Sequence, residues 1–224
     1  MALRLTEILL GWAFIQQSAE YLNSSIHNRI LFSARLLLSS MLVVGLYTQW
    51  VCLALLLVSM VMLIRFQGPY NGGSDRMGLL ILLCLSLAQL LPSQKWREHA
   101  LGYLALQLVL SYFISGWVKV VNPDWRNGRA LQDVFLFSAY PASESLRAWA
   151  NHPRLILFMS WAVMIFELLF PFTILSSTTL AIGLIIAALF HLANACLFGL
   201  NRFFWVWLAA YPSIVWLQHR IFSS

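Results

Sequence analysis

Lys119 is the residue with the clearest chemical potential, because it lies at the end of an apolar segment in the run YFISGWVKVVNPDW, residues 112–125. A lysine amine at the edge of hydrocarbon must extend to the interface, find a partner or lose its proton. A neutral amine in such a place can act as a general base towards a lipid-soluble acid. The simpler alternative is that the ammonium of Lys119 only extends to the membrane interface.

Two further polar groups of interest lie in other apolar segments. Glu167 lies near the middle of one of them, so its carboxyl group must be protonated or paired. Arg35 is the expected partner, and both a structural ion pair and a catalytic role are open. His191 and Asn194 are three residues apart on a predicted helix and share a face. They could hydrogen-bond a quinone-like carbonyl in a dry pocket, or they could clamp two helices together.

The sequence contains no motif that predicts a metal, nucleotide or nucleic-acid site. The three cysteines, Cys52, Cys84 and Cys196, are isolated within apolar runs, and the five histidines are scattered. Glycine-rich phosphate loops, zinc motifs and serine nucleophile motifs are missing from the sequence. The net charge of +6 is not concentrated in a cluster that could follow a phosphate backbone. We therefore predict neither a metal cofactor nor a nucleic-acid partner.

The composition is typical of an integral membrane protein, with 61% hydrophobic and 10% charged residues. A helical crossing needs roughly 20 apolar residues. This predicts one all-α domain over residues 1–224, a polytopic transmembrane bundle of about seven membrane helices. The expected apolar segments are residues 31–47, 51–64, 77–91, 101–121, 155–175, 180–200 and 203–217.

The first 28 residues differ from these segments. Glu7, Gln16, Gln17 and Glu20 interrupt their apolar run, which excludes an ordinary signal peptide. Apolar residues at partly helical spacing predict an amphipathic helix on the membrane surface. If all seven segments cross, the positive-inside rule places the N-terminus and the Lys119 end in the cytoplasm.

Two stretches together resemble the membrane domain of vitamin K-dependent gamma-glutamyl carboxylases and their bacterial relatives, the HTTM family. The first begins Tyr112-Phe113-Ile114-Ser115-Gly116 and continues through Lys119, Asp124-Trp125 and Gly128; it is similar to the family's YF-x-x-G segment, lysine and D/E-W-x-x-G turn. The second, residues 190–203, is similar to the signature FH-x-x-N-x-x-LF-x-x-G-x-F, with Gly199 displaced. The resemblance covers residues 31–217.

In the carboxylases, the lysine that Lys119 matches deprotonates vitamin K hydroquinone. Oxygen then converts the hydroquinone into a stronger base, which removes a glutamate γ-proton before carbon dioxide adds. The resemblance implies a membrane quinone or hydroquinone cofactor, with Lys119 and His191 as catalytic residues. The residues expected to bind substrate or cofactor are Gly116, Asp124, Trp125, Asn194 and Glu167.

The chain also departs from the carboxylases. They carry a functional histidine in the loop before the third segment, whereas residues 71–75 here are NGGSD. The long loop, residues 122–154, is too short for a separate peptide-binding domain. We therefore expect a protein partner in addition to membrane lipids. The expected docking residues, which could instead anchor the loop at the membrane surface, are Phe135, Phe137, Tyr140 and Trp149.

These observations predict a multi-pass enzyme of the bacterial inner membrane. Its expected activity is a base-assisted or quinol-coupled modification of a peptide or lipid, as a lyase or an oxidoreductase. Two alternatives remain: a non-catalytic membrane subunit that docks a soluble partner, and a factor for peptide or toxin maturation or transport.

Overall fold

The computed structural model describes residues 1–23, 25–65, 72–91, 93–138 and 144–222. Asn71, the first residue of the NGGSD stretch, and the expected docking residue Tyr140 lie outside these ranges. The helices are α1 (Ala2–Glu20), α2 (Ile26–Val44), α3 (Thr48–Arg65), α4 (Gly72–Leu90), α5 (Gln94–Val121), α6 (Pro123–Arg126), α7 (Arg129–Phe137), α8 (Glu144–Arg147), α9 (Pro153–Leu169), α10 (Ser177–Phe198) and α11 (Asn201–Phe222).

Within the described ranges every regular element is helical, which confirms the predicted all-α class. Among the described residues, five helices are long and apolar enough to cross a membrane: α3, α4, α5, α10, and α9 together with the 3-10 turn that follows it. The expected number of seven is not confirmed. The two remaining long segments, α2 and α11, carry more polar side chains, among them Arg35 in α2 and Arg202 in α11.

One compact unit contains Met1–Leu106 and Arg202–Ser224. In it α1 packs against α2, and Gly11 permits the contact, since a Cβ there would lie 2.7 Å from Val43 Cγ2. The predicted N-terminal helix is present, but it buries polar as well as apolar side chains. Glu7 is 4% exposed and accepts a hydrogen bond of 2.8 Å from Arg4 Nη1. The N-terminal helix is therefore an integral part of this unit's packing.

Arg35 is buried within this same unit, where three helices hold its charge. Its Nη1 donates to Gln17 Oε1 at 2.9 Å, and Gln17 Nε2 donates to Asp75 Oδ1 at 3.2 Å. The guanidinium also lies over the Phe14 ring, 3.8 Å from the centroid. Thus α1 and α4 both stabilise the arginine of α2.

The second compact unit is Gln107–Asn201, which contains the C-terminal part of α5 together with α6 to α10. Helix α9 gives way to a 3-10 turn, Phe170–Leu175, at Pro171, which has no N–H to donate. Ser176 then begins α10 with a capping box, in which its side chain accepts from Thr179 N. Gly183 lets α10 approach this turn, because a Cβ there would lie 2.6 Å from Thr173 Cγ2.

The region after α6 folds back onto this unit around a cluster of buried apolar side chains: Leu131, Phe135, Ala150, Ile156 and Phe198. The expectation that Phe135 is an exposed docking residue is wrong, because this side chain is only 2% exposed and packs edge-on against Phe198. Phe137, in contrast, is 75% exposed and Trp149 is 38% exposed. Helix α7 therefore has one face in the cluster and leaves Phe137 outside it.

Candidate active site

The candidate site is built on one stripe of α5, formed by Tyr112, Ser115, Gly116 and Lys119. These residues are spaced by three and four positions, so their side chains lie on one helix face. Residues at such spacing, with a glycine among them, allow a neighbouring helix to pack closely. In this protein the neighbouring helix that packs on this face of α5 is α9.

Gly116 lies directly against the backbone of α9. A Cβ at this position would be 2.9 Å from both Glu167 Cβ and Leu168 N, closer than such atoms can approach. Gly116 was expected to bind substrate or cofactor; the structure instead shows that its missing side chain brings α9 into contact with α5. Gly116 lies one helical turn before Lys119 on α5. The close approach of α9 at Gly116 therefore places Glu167 next to Lys119.

Lys119 and Glu167 form a close ion pair. The amine nitrogen Nζ lies 2.7 Å from Oε1 and 2.5 Å from Oε2 of the carboxylate. Ser115 joins the pair, since its Oγ accepts from Nζ at 2.6 Å and donates to Oε1 at 3.2 Å. The side chain of Lys119 is 16% exposed and that of Glu167 is 4% exposed. The partner of Glu167 is therefore Lys119, and not Arg35 as the sequence suggested.

The aromatic ring of Trp125 lies against the amine of Lys119. Its ring centroid lies 5.3 Å from Lys119 Nζ, within the range in which a ring face attracts a cation. The short helix α6 carries this ring and is capped by Asn122, whose Oδ1 accepts from Asp124 N at 2.9 Å. The Asp124 side chain is exposed, and no ion pair joins it to Lys119 among the residues described. Trp125 thus belongs to the candidate site, whereas Asp124 helps to form the turn.

A second polar pair lies two turns of α5 from Lys119, about 10 Å along the axis. Tyr112 Oη and His191 Nε2 are 2.8 Å apart, and their residues are 2% and 5% exposed. The Tyr112 ring packs against Phe170, with centroids 4.1 Å apart, and edge-on against Phe166. Tyr112 was not expected as a site residue, although its spacing from Lys119 placed it on the same face.

Asn194 lies one turn beyond His191 on α10 and is half-buried. Its backbone carbonyl accepts from Gly199 N and Leu200 N, which closes the end of the helix. In the part of the chain that the structure describes, no hydrogen bond joins its side chain to Lys119, Glu167 or His191. Asn194 is therefore near the site in sequence but outside its hydrogen-bonded groups.

An apolar cavity of about 450 Å³ lies between α9, the 3-10 turn that follows it and α10. Phe166 and Phe170, which pack against the Tyr112 ring, also form part of the cavity wall, and Ala162 of α9 and Ile182 and Ile186 of α10 lie around it. The volume is in the range of small-molecule sites. Such a cavity suits the hydrocarbon part of a ligand, and Tyr112 and His191 are not among the residues that line it. In the described ranges, no three His, Cys, Asp or Glu residues lie together as metal ligands.

The cluster can hold and move a proton. An amine and a carboxylate at 2.5–2.7 Å can share a proton, because the neutral amine with a carboxylic acid avoids two charges in a dry site. Ser115 can follow this shift, since a hydroxyl both donates and accepts. The arrangement therefore places a carboxylate and a hydroxyl within hydrogen-bonding distance of the amine.

Comparison with known proteins identifies a family for this chain. The HTTM domain matches residues 17–217, and this is the domain named in the membrane region of vitamin K-dependent carboxylases. Searches of curated proteins and of solved structures returned no match. The match spans most of the chain and includes every residue of the candidate site, and five helices can cross a membrane. The protein is therefore a membrane protein that belongs to the HTTM family.

Proposed function

We propose that this protein is an enzyme in which Lys119 removes a proton from an acidic hydroxyl of a membrane-soluble substrate. The observation that supports this most directly is the buried Lys119–Glu167 pair, with Ser115 bonded to both members. A lysine that only anchored a helix end would extend to the interface. Here the amine instead points back to a carboxylate on a neighbouring helix.

The proton steps balance within the cluster. A shift of one proton from Nζ to Glu167 leaves a neutral amine and a neutral carboxylic acid. Lys119 Nζ then accepts the hydroxyl proton of the substrate, and the resulting ammonium stays beside the substrate anion. Glu167 holds the displaced proton, and Ser115 keeps the amine in place through its hydrogen bond.

Tyr112 and His191, two helical turns from Lys119, would bind a second polar group of the substrate, away from the hydroxyl that Lys119 deprotonates, and the cavity lined by Phe166 and Phe170 would hold its apolar part. A membrane hydroquinone fits these groups, because it combines an acidic hydroxyl with a hydrocarbon chain. When bound, it would supply the acidic hydroxyl and the electrons for a subsequent oxidation. The final acceptor, a peptide or a lipid, remains part of the proposal.

The test uses the purified protein in lipid nanodiscs with a reduced short-chain menaquinol analogue. Oxygen consumption and quinol oxidation are measured with the wild-type chain and with Lys119→Arg. Arginine keeps the charge and can pair with Glu167, but it does not lose its proton. We expect the rate above background to fall on the order of 100-fold, the effect of losing a general base. Full activity of Lys119→Arg would exclude Lys119 as the base.

A protein partner and a bacterial inner-membrane location are further parts of this proposal. The exposed aromatic side chains of Phe137 and Trp149, on the segment that follows the candidate site, support a docking surface there. The same side chains could instead contact lipid head groups. If no quinol-dependent activity appears, the result favours the alternative function, a non-catalytic membrane subunit.

A further inference from the structure

Helix α9 anchors the turn that carries Trp125. Ser160 Oγ donates to the carbonyl oxygen of Trp125 at 2.6 Å, and Trp161 Nε1 donates to that of Arg126 at 3.1 Å. Ser160 is completely buried. Side chains of neighbouring positions on one helix therefore hold consecutive carbonyl groups of the turn.

The chain just after this turn also packs tightly on α9. Gly128 has a φ of 84°, in the left-handed region that favours glycine. A Cβ at Gly128 would lie 3.3 Å from Leu157 Cα, so a larger residue would push the turn away from the helix. Leu157, Ser160 and Trp161 are spaced by three and four residues and form one contact line.

The same helix carries Glu167, seven residues after Ser160 and so on the same side of α9. One rigid element thus fixes both the counter-ion of Lys119 and the turn whose Trp125 ring lies over the amine. A shift of the turn relative to α9 would change the cover of Lys119 without changing its pairing with Glu167.

We propose that Ser160 and Trp161 are positioning residues for Lys119, which act through Trp125 and control how readily a reactant reaches the amine. This inference rests on the proposed role of Lys119 as a base. It assigns no contact with substrate to Ser160 or Trp161. Ser160 and Trp161 hold the turn so that the Trp125 ring covers and attracts the ammonium group of Lys119. The ring then limits the directions from which a reactant can reach the amine.

The experiment measures how fast Lys119 is acylated by a small water-soluble N-hydroxysuccinimide ester, using the full chain in detergent and peptide mass spectrometry. Ser160→Ala removes one anchor, Trp161→Phe removes the other while keeping an aromatic ring, and Trp125→Phe alters the cover itself. Ser111→Ala is the matched control, because Ser111 Oγ donates to Leu108 O at 2.7 Å within α5 and touches no part of the turn.

We expect Ser160→Ala and Trp125→Phe each to raise the acylation rate of Lys119 about fivefold, the factor that corresponds to one lost hydrogen bond for Ser160→Ala and to a weakened cation–π contact for Trp125→Phe. Ser111→Ala should leave the rate unchanged. The double variant Ser160→Ala/Trp125→Phe should react no faster than Trp125→Phe alone, because the anchor acts through that ring. A merely structural serine would not show this coupling.

The proposal is overturned if Ser160→Ala behaves like Ser111→Ala, or if the two effects multiply in the double variant. Should Ser160→Ala fail to fold, Trp161→Phe carries the same test, since Trp161 is 40% exposed and its ring is largely retained. Acylation needs no turnover. The positioning role of Ser160 and Trp161 can therefore be refuted while Lys119 remains the base. Conversely, the oxygen assay can refute the role of Lys119 as base while the acylation pattern persists.

Discussion

The Lys119–Glu167 pair should control the stability of the second compact unit in a way that depends on whether one or both charges are removed. Glu167→Leu leaves the ammonium of Lys119 with Ser115 and the Trp125 ring but without its carboxylate. Breaking a buried pair by removing one partner costs about 3–5 kcal/mol. Because Lys119 is 16% exposed and can turn outward, we expect the lower limit, about 3 kcal/mol.

The double variant Lys119→Met/Glu167→Leu should be much less affected. It removes both charges and replaces them with apolar side chains of similar length, a change that is often neutral in a buried site. We expect a loss of less than about 1 kcal/mol relative to the wild type, the size of helix–helix hydrogen bonds in membranes. The double variant would then be about 2 kcal/mol more stable than Glu167→Leu alone.

The assay is equilibrium unfolding in mixed micelles with increasing SDS, followed by tryptophan fluorescence and circular dichroism. Asp124→Leu serves as a control, since that carboxylate is exposed and outside the pair. If the double variant were as unstable as Glu167→Leu, the two side chains would not compensate each other. That result would refute the reading of the site as a closed ion pair.

Three other outcomes are expected from the same structure. Tyr112→Phe removes the hydroxyl 2.8 Å from His191 and should lower the free energy of unfolding by about 1 kcal/mol. His191→Phe should abolish photo-cross-linking of a quinone analogue yet leave a folded protein. If His191→Phe instead loses the fold without a change in cross-linking, a helix clamp is the better account of this residue. Gly116→Ala places a Cβ 2.9 Å from Glu167 Cβ and should destabilise the protein by about 1–3 kcal/mol, and unchanged unfolding would contradict the close packing. Phe137→Ser and Trp149→Ser should release a bound partner protein from a complex extracted from the native source, as measured by native mass spectrometry. An active wild-type monomer of 25.5 kDa would refute the proposal of a partner protein.

The helical class was accessible from sequence because it depends on local signals, and Lys119, Glu167 and His191 stood out because ionisable residues are unusual in apolar segments. Apolar segments of membrane length predict helices whatever their neighbours, and the spacing of Gly116 and Lys119 puts them on one face. The partner of Glu167 was not accessible in this way. Helical spacing shows which residues share a face but not which helix packs on it, so the sequence could not show that Glu167 faces Lys119 and not the expected Arg35.

Phe135 illustrates a different limit. It was read as an exposed aromatic residue in a long loop, but the loop contains α7, in which Leu131 and Phe135 are four residues apart and share a buried face. That spacing was visible in the sequence and could have predicted burial. The number of crossings stays a prediction, because α2 and α11 contain more polar residues within their apolar runs than α10 does, among them Arg35, which donates a hydrogen bond to Gln17 of α1.

The choice between a structural ion pair and a base turns on the groups around the amine. A pair that served only to join α5 and α9 would need Glu167 and nothing more, and arginine would serve at least as well as lysine, since its guanidinium binds a carboxylate through two hydrogen bonds. The structure surrounds Nζ with three different groups, a carboxylate, a hydroxyl and an aromatic face. The hydroxyl and the carboxylate can each respond to the loss of a proton from the amine, which arginine could not provide. Lys119→Arg therefore separates the two roles: it should preserve the stability that the pair contributes and abolish the proton transfer that we propose.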